Sequence, residues 1–479
     1  MKRSKLDKKS TPYKEGTRLL IIFFAIGLLY LSLTCYLTYI ELSAKNTFMD
    51  NSFNQRQWKK EQNTLRGEIK DRDNVVLAKS KMETDKTQTR IYPFGKDYAH
   101  IIGYNSKVYG KSQLELTYNK SLAGLTEFSN LSDISAQIQG EKRGDTVILT
   151  LSNELQQTAL NALGGRNGSV VALNPKTGEI LCMASNPSFD PSAENLANKW
   201  EILNTDEQAP FLFRATSGQY APGSIFKTIM LCAAYENGLG NMTFNDTGEI
   251  TIGGKTFKNA GSKAYGNIDV EQAYTVSSNV AFMEIGQKLG EDEIEKYIEK
   301  FKLFEKIDLE IPTASGYYKK SGDLSKDELA QLSIGQGTLL VTPLKMAMMA
   351  ATIANHGVMQ QPFIVKKVVN DLGIDVENGK QKILGRVVSA QTANMVKNCM
   401  VKVVESGTGR NAGISGVQVA GKTGTAENEM PGKDHAWFVG FAPADNPEIA
   451  ICVMVEYSGS SGGSAAAPIA QKVMSKWVK

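Results

Sequence analysis

Histidine is almost absent from this sequence: three residues in 479, His100, His356 and His435, scattered and in no ligand spacing. Cysteine is nearly as scarce. Cys35 falls in a long apolar run, and Cys182, Cys232, Cys399 and Cys452 stand singly in apolar contexts with no CxxC pair. These shortages argue against a disulfide framework and against metal catalysis, and they leave the cysteines as core residues. Low-complexity blocks are missing. Acid and base are missing at the carboxy-terminal end: no Asp, Glu or His follows Ser461. A nucleophile elbow at Gly459-Ser460-Ser461-Gly462-Gly463 would need both after its serine, so that stretch reads as a flexible loop before a last helix. A global excess of charge is also lacking, at +4 with 22% charged residues. The basicity is local. Residues 1–18 hold seven Lys/Arg against Asp7 and Glu15, so the rest of the chain is close to neutral and no nucleic-acid footprint is present.

What is present begins with Leu19–Ile40, 22 residues without a charge, long enough to span a bilayer as one helix. The +5 tail before it predicts a cytoplasmic amino terminus and an extracytoplasmic remainder. Glu41-Leu42-Ser43-Ala44 is a poor signal-peptidase site, which favours an uncleaved anchor. Thr34, Cys35 and Thr38 form a mildly polar stripe that could pack on another membrane helix or merely face lipid.

The chain is organised around Tyr220-Ala221-Pro222-Gly223-Ser224-Ile225-Phe226-Lys227-Thr228, whose Ser224-x-x-Lys227 occurs nowhere else in the sequence. Pro222-Gly223 reads as a turn, and Ile225–Tyr235 as a buried helix ending at Asn237-Gly238. Ser224 thus sits at a helix start with Lys227 one turn on. A serine so placed can pass its proton to an amine, and the helix end favours developing negative charge. A capped core helix that happens to carry a lysine would look the same. Two further motifs decide between these. Ser277-Ser278-Asn279 lies 53 residues downstream, in a stretch helical on both sides, and Lys422-Thr423-Gly424-Thr425 lies in the strand-like run Val417–Glu427. Stray copies at Lys176-Thr177-Gly178 and Ser52-Phe53-Asn54 precede the nucleophile and fail on order.

Ser-x-x-Lys, Ser-x-Asn and Lys-Thr-Gly in this order resemble the signature of the penicillin-recognising serine acyltransferases. A second resemblance, to the amino-terminal domain of class B penicillin-binding proteins, rests on Arg66-Gly67-Glu68-Ile69-Lys70-Asp71-Arg72, Arg90-x-Tyr92-Pro93 and Gly110-x-x-x-Leu114-Glu115-x-x-Tyr118. Taken alone, Arg66–Arg72 would read as a solvated charged turn. Asn74 stands where the family has glycine, and asparagine tolerates a left-handed backbone. Gln336-Gly337, Thr342-Pro343-Leu344 and Ala354-Asn355-His356-Gly357 continue the likeness. About 105 residues between anchor and catalytic region are too few for a glycosyltransferase domain. No Glu-x-x-x-Asn follows Asn279 before Lys422, as a class A β-lactamase would require.

The expectation is an α+β protein: a tail at 1–18, a transmembrane helix at 19–40, an elongated β-rich pedestal at 41–145 and a transpeptidase domain at 146–479. Hairpins at Ser169–Ala184 and Ala436–Glu456 predict one antiparallel sheet assembled from both ends of that domain, flanked by helices, with a helical insert carrying Ser224 and a closing helix over Ala465–Val478. The resemblance implies a peptidoglycan D,D-transpeptidase that acts on stem peptides and is acylated by β-lactams. Ser224 would be the nucleophile, Lys227 its base, Ser277 a proton relay to Lys422, and Asn279 a substrate-amide anchor. Thr423, Gly424 and Thr425 would bind the substrate's terminal carboxylate, with the Ser224 and Thr425 N–H groups as oxyanion hole. No cofactor and no nucleic acid are implied; a polytopic membrane glycan polymerase is the implied partner. A β-lactam sensor or a silent scaffold is the alternative reading.

Overall fold

The computed structural model describes residues 12–39, 58, 61, 64–84, 87–126, 142–318, 324–428 and 432–478. Lys2 to Lys9 of the basic tail, Ile40 at the end of the expected anchor and much of 41–63 lie outside them. Residues up to Lys60 and from Glu61 onward form two separate compact units.

The first unit holds helix α1, Pro12–Tyr39. Its apolar span Gly16–Tyr39 is 24 residues, roughly 36 Å at 1.5 Å per residue, sufficient to cross a membrane. Thr34 Oγ1 donates to the Tyr30 carbonyl at 2.8 Å and Thr38 Oγ1 to the Thr34 carbonyl at 2.9 Å. These hydroxyls are satisfied inside the helix.

In the second unit the chain runs through strands β1 (Ile69–Lys70), β2 (Val76–Met82), β3 (Gln88–Ile91) and β4 (Thr146–Leu149), then helix α2 (Asn153–Leu163) and the hairpin β5 (Gly168–Leu173) and β6 (Ile180–Asn186). Helix α3 (Lys227–Glu236) is followed by four short strands, β7 (Thr243–Asp246), β8 (Glu249–Ile252), β9 (Lys255–Lys258) and β10 (Gly266–Asp269), which pair as two ribbons. Helices α4 (Val270–Val276), α5 (Asn279–Leu289) and α6 (Pro343–Ala354) come next. Strands β11 (Val365–Val369) and β12 (Asp375–Asn378), helix α7 (Ala390–Glu405), strands β13 (Ala420–Ala426), β14 (His435–Ala442) and β15 (Ile449–Val455), and helix α8 (Ala467–Trp477) follow further along the chain.

The expected central sheet is present, with strand order β13-β14-β15-β5-β6 and every neighbour antiparallel. Its strands are largely apolar because both faces are covered, the exception being β13, which carries Lys422, Thr423 and Thr425. Alternate residues point to opposite sides: Val171, Val439 and Cys452 join the core that contains α6, while Val170, Phe438 and Val453 join the one that contains α2 and α8. Helix α6 is buried at every position. Its one charge, Lys345, donates to the carbonyls of Lys302 at 3.0 Å, Leu303 at 2.6 Å and Glu305, so the amine is solvated by backbone.

A second sheet was not expected. Its order is β12-β11-β4-β1-β2-β3, and it passes through position 146 with β1 parallel to β4. The charged stretch Arg66–Arg72 is not a solvated turn. Arg66 Nε donates to Glu115 Oε2 at 2.7 Å, and Arg90 Nε donates to Glu115 Oε1 at the same distance. Glu115 is fully buried. Burial pushes its pKa up, but the two guanidiniums outweigh that and hold it below the ordinary carboxylate value. Asn74 adopts φ +67°, the left-handed backbone its position requires.

Candidate active site

Gly223 opens a 3-10 turn, Gly223–Phe226, that runs directly into α3. Its φ is +55°, and a Cβ there would lie 2.6 Å from the Thr425 carbonyl oxygen. Only a glycine lets the turn lie against β13. The helix start carrying Ser224 is thereby brought beside Lys422–Thr425. Ser224 is half-buried, and Lys227, one turn on, is fully buried. The helix ends at Asn237, with Gly238 left-handed, as the sequence implies.

Ser277 links α4 to α5. Its N–H reaches the Tyr274 carbonyl at 3.2 Å, and its φ of 61° and ψ of 41° are left-handed, a conformation that glycine usually supplies at a helix end. A serine held there costs about 1 kcal/mol, and such strain collects at working sites. The turn puts Ser277 Oγ within reach of two amines: Lys422 Nζ donates to it at 2.8 Å and Lys227 Nζ at 3.4 Å. Lys227 Nζ also donates to the Ser277 carbonyl at 2.9 Å and to Asn279 Oδ1 at 2.8 Å. The ring of Phe282 lies under the Lys227 amine and that of Tyr274 under Lys422, each 5.5 Å away.

Both lysines are fully buried. Burial pushes Lys422 down to about 7. Burial, reinforced by the neighbouring Lys422 charge, drives Lys227 well below the ordinary lysine value. A neutral amine near a serine hydroxyl at neutral pH is the condition for proton abstraction.

Ser224, Ser277, Asn279, Thr423, Gly424 and Thr425 line one cavity of about 750 Å³, with the two lysines behind them. All eight residues singled out from the motifs therefore converge. Four contributors carried no sequence signal. Thr408 Oγ1 lies 2.6 Å from Thr423 Oγ1. Asp246 and Asn259 pack behind the Ser277 turn. Strand β9 of the β8–β9 ribbon forms a wall of the cavity. The Gly459–Gly463 stretch, expected as a flexible loop, is part of the lining. Gly462 sits so close to β13 and β14 that a Cβ would come within 2.2 Å of the Trp437 carbonyl oxygen and 2.3 Å of that of Gly424. Among the described residues no group of three or more His, Cys, Asp or Glu is placed to hold a metal ion.

A sheet covered on both faces, with a serine on a buried helix and two depressed lysines sharing a second serine, defines an active-serine acyltransferase architecture. Residues 168–475 match the penicillin binding protein transpeptidase domain, and residues 66–147 the penicillin binding protein A dimerisation domain. The chain belongs to the penicillin-binding protein transpeptidase family, in its class B. It is 32% identical to peptidoglycan D,D-transpeptidase PbpA of Mycolicibacterium smegmatis over 95% of this chain and 97% of that protein. It is similar to penicillin-binding protein A of M. tuberculosis, solved as a ceftriaxone acyl-enzyme, with TM-score 0.83 and 30% identity, covering 88% of this chain and 99% of that one. It is also similar to a D,D-transpeptidase domain from Eggerthella lenta, with TM-score 0.79 and 34% identity over 87% of this chain and 98% of that one.

Proposed function

We propose that this chain is a membrane-anchored peptidoglycan D,D-transpeptidase in which Ser224 is the nucleophile. The observation that carries the assignment is the sharing of Ser277 Oγ by two buried, depressed lysines. Lys227 takes the Ser224 proton as Oγ attacks the carbonyl of the penultimate D-Ala of a stem peptide. The Ser224 and Thr425 N–H groups receive the oxyanion. Ser277 passes a proton from Lys422 to the departing D-Ala amine. Asn279 holds the substrate amide, and Thr423 and Thr425, across the Gly424 backbone, hold the terminal carboxylate. The amine of a second stem then attacks the acyl carbonyl, giving a proton through Ser277 to Lys422, while Lys227 returns its proton to Ser224 Oγ as the ester bond breaks; this forms the cross-link and frees Ser224.

In this reading residues 41–145 are a pedestal and 146–479 the transpeptidase domain. The amino terminus is cytoplasmic, the domain lies outside, and a polytopic glycan polymerase is its membrane partner. The sensor or scaffold alternative requires acylation without turnover by an acceptor amine. Mass spectrometry of the detergent-solubilised full chain with a stem-peptide thioester separates the two. Expected is an acyl adduct on Ser224 that disappears with cross-linked product when an acceptor stem is added. An adduct that persists unchanged with acceptor present rejects the transpeptidase.

A further inference from the structure

Behind the Ser277 turn lies a buried carboxylate to which the mechanism above gives no task. Asp246, at the end of β7, is 1% exposed. Ser278 Oγ donates to its Oδ2 at 2.6 Å, Asn259 Nδ2 donates to both its oxygens at 2.7 and 2.9 Å, and the Gly248 N–H donates to Oδ1 at 2.9 Å. Two of these partners, Ser278 and Asn259, act on the turn. Ser278 Oγ also caps α5 by accepting from the Ala281 N–H at 3.0 Å. Asn259 Oδ1 accepts from the N–H groups of Asn279 at 2.7 Å and Val280 at 3.2 Å. Asp246 therefore anchors the two side chains that fix the backbone on either side of Asn279, and with it the strained Ser277. It also brings one negative charge close to two buried amines: Lys422 and Asp246 are the charged groups that face Lys227. The other titratable neighbours of Asp246 are Glu284, itself beside Lys288, and Tyr265.

We propose that Asp246 is a positioning residue for the acylation step: through Ser278 and Asn259 it holds Ser277 and Asn279 against Lys227, and its charge balances the paired amines. This rests on the roles given above to Lys227 and Ser277. A buried anion stabilises a neighbouring protonated amine. Removing it therefore makes the neutral base available at lower pH, while loosening the turn slows proton transfer.

The test is the penicillin acylation rate of the full chain in detergent as a function of pH, with the fraction of chains that can be labelled measured in parallel. Asp246→Asn is expected to label to full stoichiometry, at least about ten-fold more slowly than the unmodified chain. Its acid limb should move to lower pH. Ser278→Ala, which keeps the charge, is expected to be slower with its acid limb unmoved. An Asp246→Asn acid limb that coincides with that of the unmodified chain overturns the proposal, whether the rate is retained or lost through fewer active chains. If Asp246→Asn does not fold, Ser278→Ala and Asn259→Ala decide: slow acylation at full stoichiometry supports the role, and unaltered rates overturn it. Failure of the underlying reading shows separately, as label away from Ser224 or as wild-type acylation by Lys227→Ala.

Discussion

At the scale of single residues the site is a problem of proton inventory. Two amines taken out of water within reach of one hydroxyl cannot both stay charged without a large Coulombic cost, which burial magnifies. Lys227→Ala should leave the fold intact and slow β-lactam acylation by at least about 10²-fold, the scale of a lost positioned base; stopped-flow labelling of a variant with an unaltered circular dichroism spectrum checks it. The same depression has a sign in stability. A lysine in the unfolded chain holds its proton to about 10.4, whereas folded Lys422 releases it near 7. The unfolded state therefore binds more protons between these values, so this group's destabilising contribution is present in full below about 7 and fades as pH rises toward 10. Removing the ionisable amine in Lys422→Met should give a Tm difference from the unmodified chain that moves in favour of the unmodified chain over that interval. A difference independent of pH would mean that Lys422 is not depressed.

At the scale of elements, close backbone approach assembles the site. The Gly223 turn, β13 and the Gly462 segment touch where side chains would not fit. Gly462→Ala should cost roughly 1–3 kcal/mol, the range for overpacking, and should also lower the acylation rate, because β13 carries Lys422 to Thr425; denaturant melts and labelling kinetics read the two effects. These contacts explain what the sequence could and could not disclose. The β5–β6 and β14–β15 hairpins and helix α8 were legible because each is a local apolar pattern bounded by turns. The three motifs were legible because their order is restrictive. The six-stranded sheet was not, since β1 is two residues long and pairs with β4, which in turn pairs with β11 from far along the chain. The left-handed Ser277 was hidden because glycine is the residue that signals such a cap. Asp246 ends one short strand and Asn259 directly follows another, with no periodicity or motif to mark them. The loop expected over Gly459–Gly463 gives way at Gly462 to a short helix, where glycine serves close packing that no apolar pattern marks.

At the scale of the whole molecule, the 24-residue apolar helix is long enough for a single-pass anchor, and the +5 tail before it carries the proposed orientation. A reporter fused after Lys479 should be active only outside the cytoplasm, and protease added to intact spheroplasts should digest the chain beyond the anchor; protection would reverse the orientation. The central claim is that Ser224 is acylated readily and that water does not release it. In the proposed mechanism Ser224, Lys227, Ser277 and Lys422 supply what acylation needs, whereas the sequence offers no separate carboxylate base in the β-lactamase pattern to activate water. A penicilloyl adduct also keeps its leaving amine tethered, so the acceptor's place stays blocked. The most direct measurement is the mass and peptide map of the full chain after incubation with penicillin and an hour of dialysis. One penicilloyl group per chain, on the peptide containing Ser224 and lost in Ser224→Ala, is the expected result. Rapid turnover of penicillin, or label on Ser461 or any other residue, would contradict it.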